Sequence, residues 1–345
     1  KMSDSQNLPD FETTMHAAKP LCLSLARLVL STMVFISLPS VAQSNDAWPS
    51  KPVRFVVPYV AGGASDITVR SIAQLLTTSL GQTMMVENKA GGGGNIGTDF
   101  VAKAAPDGYT FLMAYAGPIA INPHLYKNIA FNAQKDFAPV SLMADAPLIL
   151  AVHPSVPANN LAELIAYLKA NPDQVFFGSS GTGGADHLAG ELFRLQAGVR
   201  INHIPFKGGA QAVVDLVAGR TQMEFLTIPG GLSHIRAGRL KAIALASSKR
   251  FPLFPDVPTM TEAGMKDFEI HNWYGISAPA GTPAPIVQRL SRAIHEAIQD
   301  PNLRTRFQEI GLVPMANTPE EFAAFIQRDS EKWKKIIQDS GVTAE

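Results

Sequence analysis

The feature of this chain that most constrains its fold is a repeated alternation of short apolar runs, glycine-containing loops and amphipathic stretches. Residues 53–57 lead through a glycine loop into a predicted helix over 66–80, and residues 175–177 lead through 178–184 into another that ends at Ala197. Short runs rich in valine, isoleucine and phenylalanine are typical of buried strands. Strand–loop–helix units of this kind predict α/β domains with largely parallel sheets.

The same alternation recurs along most of the chain. Further strands are predicted at 84–86, 110–113, 201–204, 223–226 and 241–245, and further helices at 96–104, 211–218 and 285–299. A last helix is predicted from Thr318 to about Ser340, because Thr318 and Glu321 have the spacing of a capping box and Gly341 can end it.

Length and composition bound the class of protein. The chain has 345 residues, 46% of them hydrophobic, and this length suits two domains of roughly 100–200 residues each. Its 29 basic and 29 acidic residues cancel, so the basic excess of a nucleic-acid binder is absent and no nucleic-acid partner is expected. A single cysteine excludes a disulfide framework and a multi-cysteine metal site. No cofactor or metal ion is predicted.

The first 42 residues have the features of a processing segment. Met15 is followed by Lys19 and Arg27, an apolar run over 28–38 and the small residues Ser40-Val41-Ala42. This order predicts a secretory signal peptide cleaved near Ala42, since the run is shorter than the ~20 residues that span a bilayer. A buried helix of the fold is the alternative. Residues before Met15 are interpreted as a remnant upstream of the start, and a periplasmic protein is expected.

Glycine loops before predicted helices are the main candidates for a binding site. The four loops are Gly62-Gly63, residues 91–94, residues 178–184 and Gly208-Gly209. A helix start leaves N–H groups unpaired at the positive end of the helix dipole, and glycine lets a ligand approach that backbone closely. Such loops predict a site for a carboxylate or phosphate that needs no basic side chain. The alternative is that the glycines serve only tight turns.

Several side chains near these loops allow two interpretations. Asp66 can cap a helix or contact a ligand, and a carboxylate beside a bound anion is repulsive unless a cation or a ligand amine intervenes. Lys207 can bind an anion or extend into solvent. Trp273 and Tyr274 can cover a ligand or fill the junction between domains.

Motifs for catalysis and cofactor binding are incomplete. Gly92-x-Gly94-x-x-Gly97 has the glycine spacing of a dinucleotide site, but Gly117 lies where a ribose-binding acid would be expected. Thr182 replaces the second glycine that a nucleophile elbow at Ser179-Ser180 would require. These three hydroxyls can instead contact a ligand or cap helices. The chain is therefore not expected to be an enzyme, with a secreted hydrolase using Ser180 or His187 as the alternative.

A series of motifs resembles one family along nearly the whole chain after the leader. They are Trp48-Pro49-x-Lys51-Pro52, Gly62-Gly63-x-x-Asp66, Glu87-Asn88-Lys89 with 91–97, residues 105–110, Asn122-Pro123-x-Leu125-Tyr126, Gly178-Ser179-x-Gly181-x-Gly183, Phe206-Lys207-Gly208, residues 256–264 and residues 273–283. Together and in this order they resemble the extracytoplasmic solute receptors of the tripartite tricarboxylate transporters, often called Bug receptors.

The resemblance implies a two-lobed periplasmic binding protein of type 2, with a Venus-flytrap fold. Each lobe would be a mostly parallel sheet flanked by helices. The chain would cross between lobes near 146–148 and return near 272–275. Lobe 1 would then comprise residues 43–147 with 273–345, and lobe 2 would comprise residues 148–272, after an upstream remnant and signal peptide over 1–42.

The resemblance also implies which residues bind the ligand. The first lobe would contribute Tyr59, Gly62, Gly63, Ala64 and Asp66, and the second Ser179, Ser180, Gly181, Thr182, Gly183, Lys207, Gly209, Ala210 and Gln211. Trp273 is added to the predicted site as a cover for the ligand on the grounds given above, not from the resemblance. The sequence departs from the family at Tyr59-Val60-Ala61, where Phe and Pro are usual, and at Tyr115-Ala116-Gly117, which lacks the usual Ser or Thr.

The expected function is that of a periplasmic, monomeric receptor. It would capture a small organic carboxylate between two lobes and deliver it to the integral membrane subunits of a tripartite transporter. The alternative in another class is an orphan ligand sensor that signals to a membrane sensor kinase.

Overall fold

The computed structural model describes residues 48–343. The predicted signal peptide and upstream remnant over 1–42 lie outside the described residues, as do both ends of the predicted lobe 1, residues 43–47 and 344–345. None of the helices within 48–343 combines the length and apolar character that a membrane span requires.

Strands and helices alternate over most of the described chain. The strands are β1 Val53–Val57, β2 Met84–Asn88, β3 Thr110–Tyr115, β4 Phe137–Val152, β5 Phe176–Ser179, β6 Asn202–Pro205, β7 Met223–Thr227, β8 Lys241–Leu245, β9 His271–Pro279 and β10 Val313–Pro314. The α-helices are α1 Ala64–Leu80, α2 Asn95–Ala102, α3 Asn122–Leu125, α4 Leu161–Ala170, α5 Ala185–Ala197, α6 Gly209–Val217, α7 Ile228–Arg236, α8 Ala284–Gln299, α9 Pro301–Ile310 and α10 Pro319–Ser340. Single helical turns at Gly92–Gly94 and Gly117–Ile121 precede α2 and α3.

The strands form a sheet with two parallel edges joined by long antiparallel strands. At one edge β2, β1 and β3 are parallel, and at the other β6, β5 and β7 are parallel. Between them β4 is antiparallel to β9 over 137–147 and antiparallel to β7 and β8 over 148–152. We call β1–β3, β9, β10 and residues 137–147 the first half-sheet, and β5–β8 with residues 148–152 the second half-sheet.

The change of partner between Pro147 and Leu148 lies within the segment where the resemblance places a crossing. Strand β4 runs from one half-sheet into the other and so connects the two. A cleft remains between the helices that begin on either side. The predicted lobe boundaries themselves stay a prediction.

Helices α1 and α8 cover one face of the first half-sheet. Their apolar residues pack against buried β1 and β3 side chains such as Phe55 and Phe111. On α8, Leu290 and Ile294 are fully buried, as their spacing of four residues predicts. Burial of each such side chain contributes about 2 kcal/mol, so this layer fixes the position from which α1 begins.

The structure confirms the predicted strands and helices with shifts of a few residues at their ends. The last helix begins at the predicted capping box, in which Thr318 and Glu321 satisfy each other's backbone N–H groups, and Gly341 closes it at φ 64°. The long strand β4 was not predicted, because Pro139 and Pro147 interrupt its apolar pattern. Irregular register near Pro139 lets the strand bend without leaving the sheet.

Candidate ligand-binding cavity

A cavity of about 220 Å³ lies between the two half-sheets. It is lined by Tyr59, Val60, Gly62, Gly63, Ala64, Ser65, Tyr115, Asn272 and Tyr274 from the first side and by Ser180, Asp186, Gly209, Ala210, Val213, Val214, Glu224, Leu226, Thr227, Pro229, Gly230 and His234 from the second. We call it the central cavity. Its volume suits a small molecule.

Four helices begin at the wall of the central cavity. The N-cap residues are Gly63 for α1, Gly184 for α5, Gly208 for α6 and Thr227 for α7, and none of the four is capped by its own side chain. At the start of α5 the N–H of His187 donates to the side chain of Asp186. The first N–H groups of α1 and α6 therefore remain available to a ligand. Because α1 belongs to the first half-sheet and α6 to the second, positive helix ends reach the cavity from both sides.

Three tyrosines form the wall on the side of the first half-sheet. Tyr115 packs edge-on against Tyr59 and stacks on Tyr274, with ring centroids 4.9 Å and 5.9 Å apart. The Tyr59 hydroxyl donates to the carbonyl of Gly93, and the Asn272 amide donates to the Tyr115 hydroxyl at 3.1 Å. Burial raises the pKa of all three phenols, so they stay neutral and offer hydroxyls and flat apolar faces.

Two buried carboxyl groups lie on the side of the second half-sheet. Asp186 accepts hydrogen bonds from the N–H and hydroxyl of Ser180 and from the N–H of His187, and burial raises its pKa to about 6. Glu224 is 1% exposed, and burial followed by the charge of Asp186 raises its pKa well above the usual range. Its Oε2 has no hydrogen-bond partner among the described residues.

The structure brings about half of the predicted site residues to the central cavity. Those that line it are Tyr59, Gly62, Gly63, Ala64, Ser180, Gly209 and Ala210. Those placed elsewhere are Asp66, Ser179, Gly181, Thr182, Gly183, Lys207, Gln211 and Trp273.

Asp66 serves the structure of its own loop. It accepts hydrogen bonds from the N–H of Gly62, from Arg70 and from Asn88, each at 3.0 Å. Although burial opposes ionisation, the hydrogen bonds from Arg70, Gly62 and Asn88 lower the pKa of Asp66. Asp66 therefore holds the loop in place as a carboxylate, and the residues that reach the cavity are its neighbours.

The predicted anion loop over 178–184 uses its N–H groups internally. Besides the bond from Ser180 to Asp186, the Gly181 N–H donates to the Ser179 hydroxyl, and the Gly183 N–H donates to His187 Nδ1. Ser179 is fully buried beneath the loop. This loop is a poor anion site, because most of its donors are already satisfied.

The same loop makes a different contact, with the glycine loop 91–94 of the other side. A Cβ on Gly93 would overlap the carbonyl oxygen of Thr182, and one on Gly181 would lie 3.3 Å from the Cα of Gly93. The Tyr126 hydroxyl donates to the same Thr182 carbonyl at 2.8 Å. Gly181 and Gly93, which lie in loops predicted to bind the ligand, thus allow the backbones of these two loops to contact each other.

Trp273 is a core residue rather than a cover for the cavity. It is 1% exposed, its indole N–H donates to Asp329 at 2.7 Å, and its ring packs edge-on against Phe322. Successive residues of a strand point to opposite faces, so Asn272 and Tyr274 face the cavity where Trp273 cannot. That alternation could have identified them from the sequence.

Lys207 and Gln211 lie at the exposed surface beside the start of α6. The Lys207 N–H donates to the side chain of Gln211 at 3.2 Å. No lysine or arginine is among the described residues that line the central cavity. Glu224 lines the cavity without having been predicted, and its only signal in the sequence is that it is an acid inside an otherwise apolar predicted strand.

The hydrogen-bond pattern does not support a hydrolase based on Ser180 or His187. The Ser180 hydroxyl donates to Asp186 rather than to a histidine. His187 is 5% exposed, its ring stacks on that of Phe177 and lies tilted against the half-buried ring of His203, and burial lowers its pKa to about 4. A serine nucleophile is activated by an adjacent base such as histidine or lysine, and among residues 48–343 neither is hydrogen-bonded to the Ser180 hydroxyl.

Comparisons with known proteins agree with this geometry. A family model described as the tripartite tricarboxylate transporter family receptor matches residues 68–342. The protein BugT of Bordetella pertussis is 38% identical over 322 residues, covering 92% of this chain and 99% of BugT.

Solved structures of similar proteins have the same fold. R. palustris Rpa4515 with adipate is 33% identical with a TM-score of 0.84, covering 86% of this chain and 99% of that one. MatC of Rhodopseudomonas palustris with bound malate is 31% identical with a TM-score of 0.81, covering 84% and 100%. The fold is therefore the two-lobed fold of the periplasmic binding proteins, as the resemblance implied. This chain belongs to the tripartite tricarboxylate transporter receptor family, a family of solute-binding receptors rather than of enzymes.

Proposed function

We propose that this chain captures a small organic carboxylate in the central cavity and delivers it, unchanged, to the integral membrane subunits of a tripartite transporter. The observation that carries the proposal is the pair of uncapped helix starts on α1 and α6, which reach one cavity from opposite half-sheets. Peptide N–H groups at the positive end of a helix bind carboxylates without a charged side chain. The adipate and malate of the similar proteins support this class of ligand.

Closure of two lobes about β4 and β9 is the proposed capture step. Lobe 1 would be residues 43–147 with 273–345, and lobe 2 residues 148–272. The contact between the loops at Gly93 and Thr182 would form on closure and open for release. A transporter that binds the closed form more tightly than the open form would accept only loaded receptors.

The periplasm is the proposed site of action, and the monomer is the proposed active form. The basic start, short apolar run and small residues that end at Ala42 support export. The central cavity is lined from both half-sheets of one chain, so a second copy is not needed to complete it.

Calorimetry on the protein that begins at residue 43 tests the carboxylate class. Adipate, malate and succinate are titrated beside their uncharged amides, which keep the shape and lose the charge. We expect at least one carboxylate to bind and its amide to bind at least about tenfold more weakly, since a hydrogen bond to a charged group exceeds one to a neutral group. Absence of carboxylate binding, or equal binding of the amides, would overturn the proposal.

A further inference from the structure

A histidine lies at the point where the two half-sheets meet. His271 begins β9 and pairs with Pro147, the last residue of β4 that pairs with this strand. The next residue of β4, Leu148, already pairs with the second half-sheet. The other chain segment changes sides at the same level, because the N–H of Ile270 donates to the carbonyl of Ala246, which follows β8. His271 therefore lies at the junction in both connections between the half-sheets.

Both ring nitrogens of His271 face carboxylate oxygens. Nδ1 lies 3.1 Å from Oδ2 of Asp145 on β4, and Nε2 lies 2.8 Å from Oε1 of Glu269. An ionised carboxylate only accepts hydrogen bonds, and a neutral imidazole has one nitrogen without a proton. The two contacts are therefore satisfied together only by an imidazolium, which donates from both nitrogens. We call His271 with Asp145 and Glu269 the hinge cluster.

The two carboxylates of the hinge cluster lie on different sides of the junction. Asp145 belongs to the first half-sheet, and its Oδ1 is buried without a hydrogen-bond partner among residues 48–343. Glu269 precedes the residue whose N–H is bonded to the end of β8. Lys332 of α10, a helix that packs against β4, donates to the Glu269 carbonyl at 2.9 Å. His271 and Lys332 thus both connect residue 269 to the first half-sheet.

The charged groups around His271 come from the elements packed against it. Besides Asp145 and Glu269 they are Asp329 and Lys332 of α10, so acids predominate. The hydrogen bond to Asp145 raises the pKa of His271 to about 9, with smaller contributions from Glu269 and against the effect of burial. The stabilising contribution of this group is therefore complete below its ordinary pKa of 6.5 and is lost as pH rises through about 9.

The hinge cluster lies on the face of β9 opposite the central cavity. Asn272 and Tyr274 line that cavity, whereas Trp273 bonds to α10 on the other face. Successive residues of a strand point to opposite faces, so His271 shares the face of Trp273. A change of charge at His271 can therefore alter the angle between the half-sheets without altering a group that lines the cavity.

We propose that protonated His271 connects the two half-sheets across their hinge and favours the conformation in which loops 91–94 and 178–184 touch, so that alkaline solution favours opening. This regulation rests on the proposed function, in which two lobes close about β4 and β9. Opening rotates the half-sheets about the junction, and a ring held from both sides cannot then keep both contacts. Loss of the His271 proton leaves Asp145 without its counter-charge and removes one of the two hydrogen bonds, so the closed form loses its advantage.

Proton NMR on the protein that begins at residue 43 measures the charge of His271 directly. The ring signals are assigned by their loss in His271→Gln. We expect a titration midpoint near pH 9, because two carboxylates favour the charged ring. A midpoint near 6.5, the ordinary value for histidine, would overturn the proposal.

Double electron–electron resonance measures the opening of the hinge without any ligand. Spin labels are attached to Met85→Cys on β2 and Leu195→Cys on α5, which are exposed, belong to opposite sides and do not line the central cavity. No other cysteine follows residue 43. Between pH 7.5 and 10 we expect the ratio of the two distance populations to change about threefold to tenfold, the effect of one charged hydrogen bond weakened by solvent. An unchanged distribution would overturn the proposal.

Three variants separate the charge of His271 from other effects of alkaline solution. His271→Arg keeps a cation with several donors at both pH values, so its distances should not change with pH. His271→Gln should show at pH 7.5 the distribution that the wild-type protein shows at pH 10. His295→Gln removes an exposed histidine of α8 and should leave the wild-type response intact. A pH response that persists in both His271 variants would contradict the proposal.

These outcomes are separate from those of the proposed function, because neither measurement needs a ligand. An absent alkaline response overturns the role of His271 and leaves carboxylate binding intact. If calorimetry finds no carboxylate binding while the distances respond to pH, the proposed function fails and the hinge cluster remains. Should one His271 variant not fold, the other assigns the NMR signal, and the midpoint and distances of the wild-type protein still decide the matter.

Discussion

Two glycine loops of this chain have similar sequences and different roles. Gly62-Gly63 precedes α1 with Asp66 as the third helical residue, and residues 178–184 precede α5 with Asp186 as the second. Asp66 accepts hydrogen bonds from the N–H of Gly62 and from the Arg70 side chain. The N–H groups of the first residues of α1 are therefore left open to the cavity. The Asp186 side chain instead accepts hydrogen bonds from the N–H and the hydroxyl of Ser180, so these donors of its own loop are not available to a ligand.

The difference shows that a glycine loop before a helix is not by itself an anion site. The role of each loop depends on which N–H groups donate hydrogen bonds to the nearest acidic side chain. One loop is left with unsatisfied N–H groups and can bind a ligand, and the other is satisfied internally and stabilises the fold. Substitutions in the first should change affinity, and substitutions in the second should change stability.

The largest effect is expected from Asp186→Ala. The change leaves the N–H and hydroxyl of Ser180 buried without their acceptor, which should lower the free energy of unfolding by about 2 kcal/mol or more. Urea denaturation at pH 8, where the carboxyl group is ionised, measures it. Asp186→Asn keeps one acceptor and should lose less. A fully stable Asp186→Ala would mean that this loop does not depend on its acid.

Next in size is the effect of Ala64→Pro on ligand affinity. Proline removes one N–H from the start of α1, where its fixed φ is tolerated because Gly63 is extended at φ −77° and ψ 169°. We expect binding about 10- to 100-fold weaker, the value of one hydrogen bond to a charged group, with little loss of stability.

The control for that substitution is Ala64→Val, which has a side chain of similar size and keeps the N–H. It should bind within a fewfold of wild type. If both variants lose affinity equally, the side-chain volume matters and the amide of Ala64 does not contact the ligand.

A smaller effect is expected from Gly93→Ala. Gly93 lies in loop 91–94, and the substitution tests whether the contact of this loop with Thr182 of loop 178–184 stabilises the closed form. Its Cβ would overlap the Thr182 carbonyl and hold the loops apart, so affinity should fall about fivefold to tenfold as the closed form becomes less populated. Gly92→Ala is a matched control, because Gly92 has a similar positive φ but its Cβ meets nothing closer than 3.7 Å. Equal losses in both variants would indicate backbone strain alone.

The features that could be predicted from the sequence are those that depend on residues close together in the chain. The capping box at Thr318 and the helical spacing of Leu290 depend on neighbours within one element, and both are confirmed. β4 escaped prediction because its pairing with four strands is a tertiary property that overrides its prolines. Trp273 was misplaced although the period of two in β9 separates it from Tyr274.

The site was harder to predict than the fold, because hydrogen bonds between loops decide which donors remain free. Nothing in the sequence around Ser180 shows that Asp186 folds back onto it. The lone acid at 224 could have been noticed, since an ionisable residue in an apolar strand is either paired or functional. An ionisable residue in a buried strand is thus a stronger pointer to a site than the glycines beside it.

The smallest effect is expected from Lys207→Ala. Lys207 is exposed and does not line the central cavity, so its charge acts on a ligand only through solvent and is screened within about 10 Å at ordinary salt. Affinity should change about twofold or less, and the association rate should depend only weakly on ionic strength, because the chain has no net charge to steer an anion. If Lys207→Ala weakened binding more than Ala64→Pro, the anchor would be this lysine, and the contrast between the two loops would no longer explain where the ligand binds.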